Sequence, residues 1–167
     1  MSPDREDIGS NVAASYRPTT LNILAVFSLC SFLFHFAWEI LQGPLFAGMS
    51  DARHAAATLI CLQATLGDVA IALVAFTTAA WFGNGRGWYM TLPYRAVAAY
   101  VTCGVLITVV FEWYATQWSG RWTYSDLMPV IPLLRVGIAP VLQWVVLPLL
   151  VLYFLRGHNF GGNSPSQ

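Results

Sequence analysis

The sequence has no lysine. All eight basic residues are arginine, matched by eight carboxylates, so the formal net charge is zero and charged residues make up only 10% of 167. The arginines are scattered and form no patch, which excludes a nucleic-acid interface, because that partner needs a clustered cationic face. Cysteine is scarce as well. Cys30, Cys61 and Cys103 lie in apolar runs without CxxC or Cys/His spacing, so they read as small packing residues, not as a disulfide framework or thiolate metal site. No internal repeat is visible. The opening MSPDREDIGSNVAASYRPTT lacks the basic n-region and short apolar core of a cleaved signal, and residues 1–20 read as a retained, disordered cytoplasmic tail. Residues 156–167, ending in GHNFGGNSPSQ, read as a second disordered tail.

What the chain has in excess is apolar surface. Hydrophobic residues make up 57% of it and the mean hydropathy is +0.59, outside the range of an ordinary soluble domain. Four stretches, 21–42, 59–82, 96–117 and 130–154, reach the roughly 20 helical residues that cross a hydrocarbon core. Gly43-Pro44 stops the first, Asp51 is the expected N-cap of a lead-in to the second, GNGRG at 83–87 is a turn, and Gly120 closes the third. The fold class that follows is all-α, a polytopic transmembrane four-helix bundle. With four spans, Arg5, Arg17, Arg86, Arg95 and Arg156 share one side, against Arg53 and Arg121 on the other. Five against two places both termini of a multi-pass membrane protein in the cytoplasm. Trp81, Trp88, Tyr89, Tyr94, Trp118, Trp122 and Tyr124 flank the spans, as interfacial anchors do.

The polar residues inside these spans fall in stripes. In the first, Ser28, Ser31, His35, Glu39 and Gln42 recur at helical spacing beside Trp38. In the second, Cys61, Thr65, Asp68, Ala72, Ala75 and Ala79 make a face of small or polar residues, and in the third Gly104, Thr108, Glu112, Thr116 and Ser119 do the same. In the fourth, Arg135, Ala139 and Gln143 share a face, with Pro140 and Pro148 expected to kink the helix. At about 1.5 Å per residue, Glu39, Glu112 and Arg135 sit roughly 8–11 Å outward of their span centres, His35 and Asp68 roughly 4–5 Å, and Gln143 near the midplane. Four helices thus place ionisable groups in the same outer half of the membrane.

An unpaired charge at that depth costs about 2.5–3.5 kcal/mol even on gentle insertion scales. Three carboxylates face one permanent cation, Arg135, whose forked donors neutralise one or two of them. The remainder must be protonated, pair with His35 as imidazolium, or hold a cation. Glu112, Asp68, Glu39 and His35 are therefore the candidate acid–base groups, with Arg135, Gln143, Trp38, Trp113 and Gln63 as candidate binding residues. The sequence requires no cofactor. If a mononuclear or dinuclear metal binds, His35, Glu39, Asp68 and Glu112 form its mixed oxygen/nitrogen ligand set, although no Glu-x-x-His pair recurs. The blander reading of His35 and Glu39, four residues apart, is a structural hydrogen-bonded pair.

The stretch FEWYATQWSGRWTYSDLMPVIPLLRVGIAPVLQW, 111–144, with Glu112, Gly120, Trp122, Tyr124, Pro129, Gly137, Pro140 and Trp144, resembles membrane-embedded carotenoid-pathway proteins of the lycopene cyclase and carotenoid hydratase type. The chain also resembles small proteobacterial inner-membrane proteins that carry the HFAWE and LGD segments. The carotenoid resemblance implies that Glu112 matches an acid of the first cyclase motif. The chain departs from that pattern at the last motif, where Pro140-Val-Leu-Gln143 stands in place of an acidic pair.

Three functions stay open at this level. In the first, the site binds an apolar lipid such as an isoprenoid or carotenoid and works on it as an enzyme, with Glu112 or Asp68 donating a proton and Glu39–His35 accepting one. In the second, it moves protons or cations, although the inner halves of the spans hold almost no ionisable groups. In the third, it is a structural or assembly subunit whose polar cluster specifies helix packing. Membrane lipid is the expected partner in each, with a homo-oligomer or larger membrane complex as the setting for the last two.

Overall fold

The computed structural model describes residues 20–158, so both expected tails lie largely outside the described residues. Four long helices dominate: α1 (Thr20–Gln42), α2 (His54–Phe82), α4 (Tyr94–Trp113) and α5 (Ile138–His158), with the single turn α3 (Trp88–Thr91) between α2 and α4. All four are long and apolar enough to cross a membrane. Gly43-Pro44 ends α1 as anticipated, through a 3-10 turn over Gly43–Leu45. Asp51 does not cap α2. The helix starts after an extended Arg53, without any side-chain cap.

The fourth span differs most from expectation. Residues 130–137 do not belong to it. They form a hairpin of β1 (Val130–Ile131) and β2 (Val136–Gly137), paired Val130↔Gly137 and Ile131↔Val136. The β-branched residues in those strands suit extended backbone, and Pro132 lacks the N–H that an interior helical turn would need. Arg135 closes the turn at φ 54 and is exposed. The remaining α5, 21 residues, still spans about 30 Å. Pro140 now lies in the first turn of α5, where a missing N–H leaves no ladder bond unmade, and only Pro148 is interior.

The long helices pack in a closed circuit, α1 on α2, α2 on α4, α4 on α5 and α5 on α1. Their polarity is inverted relative to a soluble domain. Ser31, His35, Gln42, Thr65, Thr108, Glu112 and Gln143 are buried, while Leu29, Leu33, Leu59, Leu66, Leu106, Val110 and Leu142 face outward. Small residues make this close approach feasible: Ala72, Ala75 and Ala79 are fully buried on α2. Toward the 83–93 end, Phe27, Phe76, Trp88 and Tyr100 form an aromatic plug, with ring centroids 4.3 Å apart for Phe27–Phe76 and 5.1 Å for Phe76–Trp88.

The opposite end carries the loops 43–53 and 119–137. These are joined by a bridge between Phe46 and Tyr124, by Ala47 N–H to the Thr123 carbonyl (2.9 Å), and by Ser125 N–H to the Leu45 carbonyl (2.9 Å). We refer to it as the loop end.

At Gly104 the backbone of α4 lies directly against Trp144 of α5, and a Cβ there would stand 2.1 Å from Cε3 of the indole. Gly104→Ala is expected to destabilise the protein by about 1–3 kcal/mol, the usual range for overpacking. A thermal melt in detergent, showing a clearly lowered midpoint, checks this.

Candidate functional site

Gln143 on α5 is the hub of a buried hydrogen-bond network at the loop end. Its Nε2 lies 2.8 Å from Asp68 Oδ2 and 2.7 Å from His35 Nδ1. Its Oε1 accepts from Gln42 Nε2 at 3.2 Å, and Gln42 in turn donates to Glu39 Oε1 (2.6 Å) and accepts from Trp38 Nε1 (3.0 Å). A primary amide has two protons, and in this orientation Gln143 directs one to each neighbour. His35 Nδ1 accepts this bond in the tautomer that carries its proton on Nε2. His35 Nδ1 and Asp68 Oδ2 are also 3.4 Å apart.

Glu112, at the end of α4, is met from outside the helices. Its Oε2 accepts the Tyr124 hydroxyl at 2.6 Å and the Trp122 indole N–H at 3.4 Å. The Tyr124 oxygen is itself held by the Gly137 N–H at 2.9 Å, which ties the hairpin to the span. Burial, and then the hydrogen bond to Glu112, raises the Tyr124 phenol above its ordinary range, so it remains a donor throughout neutral pH. A π-helical turn over Tyr114–Trp118 lies between Glu112 and these two aromatics, with Ser119 N–H reaching the Tyr114 carbonyl at 2.9 Å. Such one-turn expansions re-aim the chain that follows.

Between the two networks is a cavity of about 820 Å³. Its lining combines the polar Glu39, Gln63, Asp68, Glu112 and Gln143 with the apolar Ile60, Ile71, Ile107, Phe111 and Trp144. Phe46, Arg121 and Trp122 close the loop end. Of the residues expected from sequence, His35 and Trp38 sit behind this wall, in the network. Trp113 does not join it, being 47% exposed on the outer face of α4. Arg135 does not join either. It lies in the hairpin turn, and among the described residues no ion pair involves it. The counter-ion role expected for Arg135 is filled by the amide and phenol donors described above. The metal set does not assemble, since among the described residues no group of three or more His, Cys, Asp or Glu is disposed to hold an ion.

Sequence reasoning had taken Trp122 and Tyr124 as interfacial anchors. Their i, i+2 spacing in an extended segment, which turns both side chains to one face, is the signal that pairs them on Glu112. Gln42 and Thr108 were visible in polar stripes without a role, and Gly67 was overlooked.

Tyr124→Phe leaves the Gly137 N–H without its acceptor and Glu112 Oε2 with only the longer Trp122 hydrogen bond. The expected loss is about 1–3 kcal/mol at neutral pH, with faster hydrogen exchange at the Gly137 amide. Because the folded-state value of this phenol is raised, its contribution is complete below the ordinary phenol range near 10 and is lost as pH climbs through the higher folded value. Alkaline melts of the wild type are therefore expected to fall more steeply than those of Tyr124→Phe.

No family model matches the sequence, and neither a curated protein nor a solved structure matches it, so the chain's own geometry carries the functional reading.

Proposed function

We propose that this is an integral protein of the bacterial inner membrane that binds an apolar lipid, of isoprenoid or carotenoid type, in the loop-end cavity and positions carboxyl groups for acid–base work on it. One observation carries this reading: a cavity of ligand size whose wall combines isoleucine and aromatic surface with three carboxyl groups, each oriented by protein donors. A cluster serving only to specify helix packing would not need such a space beside it. Proton movement across the membrane is less well supported, because behind His35 the Trp144 ring follows at 5.0 Å between centroids and then the aromatic plug.

For orientation, moving Arg135 from span to loop changes the arginine balance from five against two to five against three, which still favours cytoplasmic termini. A cysteine introduced at Asn84 is expected to react with an impermeant maleimide only after the cytoplasmic face is opened; labelling of intact cells would reverse the assignment.

Gly67 supplies a direct test of the cavity. It lies on the cavity wall, and a Cβ there would meet nothing within 4 Å. Gly67→Leu should thus fill the space without disturbing packing, while gaining up to about 1 kcal/mol of helix propensity. Mass spectrometry of the detergent-purified wild type is expected to find one lipid enriched over the membrane extract, and in Gly67→Leu to find that enrichment gone, with the melting temperature equal or higher. Co-purifying lipid that matches the bulk membrane in both proteins would remove the proposal.

A further inference from the structure

We infer that the ligand enters the cavity sideways from the bilayer, through a gap between α2 and α4, and not from the aqueous side past the loops. The inference rests on the lipid-binding reading above and names the source of its ligand, molecules already dissolved in the leaflet at the loop end. Toward the aqueous side the loops form a cover. Phe46 and Trp122 meet edge to face with centroids 6.4 Å apart, and Trp122 packs on Phe111 at 5.8 Å. The Ser125 hydroxyl donates to the Pro44 carbonyl at 3.1 Å, in addition to the two backbone bonds that join these loops.

The sides between the helices are not equally closed. From α1 and α5, Gln42, Pro140, Gln143 and Trp144 line the cavity and are buried, and Glu39 is half-buried. On α2 the lining runs from the inward Cys61 and Asp68 round to Ile60, Ala64 and Gly67, which share one helical stripe and are all exposed. Opposite them on α4, Glu112 is buried while Phe111 is 44% exposed. A residue that lines a cavity and is also largely open marks its rim. The open side therefore lies between α2 and α4, with 120–123 at its loop-end edge. Depth decides which phase this side meets. Ile60 and Gly67 stand about 9 Å and 20 Å in from the start of α2, at roughly 1.5 Å per residue. The 29 residues of α2, about 43 Å, overhang a core of about 30 Å by some 7 Å at each end. Both rim positions thus face hydrocarbon. A molecule of the bilayer reaches the gap without its chain leaving apolar surroundings, whereas a polar solute would first have to cross them.

The test uses the full chain in phospholipid nanodiscs with 12,12,12-trifluorododecan-1-ol as the probe. Fluorine NMR reads its bound signal and the rate at which it exchanges with the bilayer pool. Ala47→Cys with Thr123→Cys, at positions joined by a 2.9 Å backbone bond, staples the cover when oxidised. Compared before and after reduction, the staple is expected to change the exchange rate less than twofold. Ile60→Trp narrows the rim and should slow exchange at least tenfold, and Ile60→Ala should speed it, a pair of opposite effects that misfolding would not produce. Exchange slowed more than twofold by the staple, or indifferent to both Ile60 variants, overturns lateral entry; if Gly67→Leu still removes the bound signal, the cavity reading stands. No bound signal in the wild type, or one that survives Gly67→Leu, overturns both.

Discussion

A polar group inside four apolar helices has to find its partner within the protein, because hydrocarbon offers none. That constraint organises the loop end. Three carboxyl-bearing residues from three helices are involved, and among the described residues no buried arginine answers them. The amide of Gln143 joins α5 to both α1 and α2, and Gln42 extends the chain to Glu39. On α4 the answer comes from outside, where Tyr124 reaches back over the helix end. Hydrogen bonds to carboxyl oxygens are short and strong when charge-assisted, and they need no second buried charge. Using neutral donors avoids the desolvation of a cation, which would otherwise offset much of the gain from pairing.

Much of this was legible in the order of residues. Helical spacing alone gathers His35, Glu39 and Gln42 on one face of α1, and Cys61, Thr65 and Asp68 on one face of α2. It also gathers Gly104, Thr108 and Glu112 on one face of α4, and the four long apolar helices follow from hydropathy. Arg135 was not legible in the same way. Hydropathy scores VIPLLRVG as readily for a span as for a hairpin, since valine, isoleucine and leucine suit both. Only the combination of Pro132 with a residue in the left-handed region separates the two. Trp113 was misplaced for a related reason, because adjacency to Glu112 in sequence means a turn of about 100° away on a helix.

The link between Glu112 and Tyr124 was hidden by a different cause. It depends on a departure from regular geometry that no periodicity encodes. The π-helical turn after Trp113 carries the chain past the end of α4, and the bridge to Phe46 then sets the strand direction so that Trp122 and Tyr124 face the same carboxyl. Tyr124 is in turn fixed by Gly137, the last residue before α5. A single phenol therefore couples the end of α4, the hairpin and the start of α5, and the shape of the cavity depends on that contact as much as on the helices.

The size of the cavity decides what kind of object it is. At about 820 Å³ and open on one side, it is a cleft of the size that holds a small ligand, not a packing void. Lipid tails alone would offer nothing to the carboxyl groups of that lining. Water alone would gain nothing from Ile60, Ile71, Ile107 and Phe111. The proposed ligand, an amphiphile apolar along most of its length and polar at one end, matches such a mixed lining. Gly67 belongs to the same lining, and an added Cβ there would meet nothing within 4 Å, so the helix contributes bare backbone at this point of the cleft.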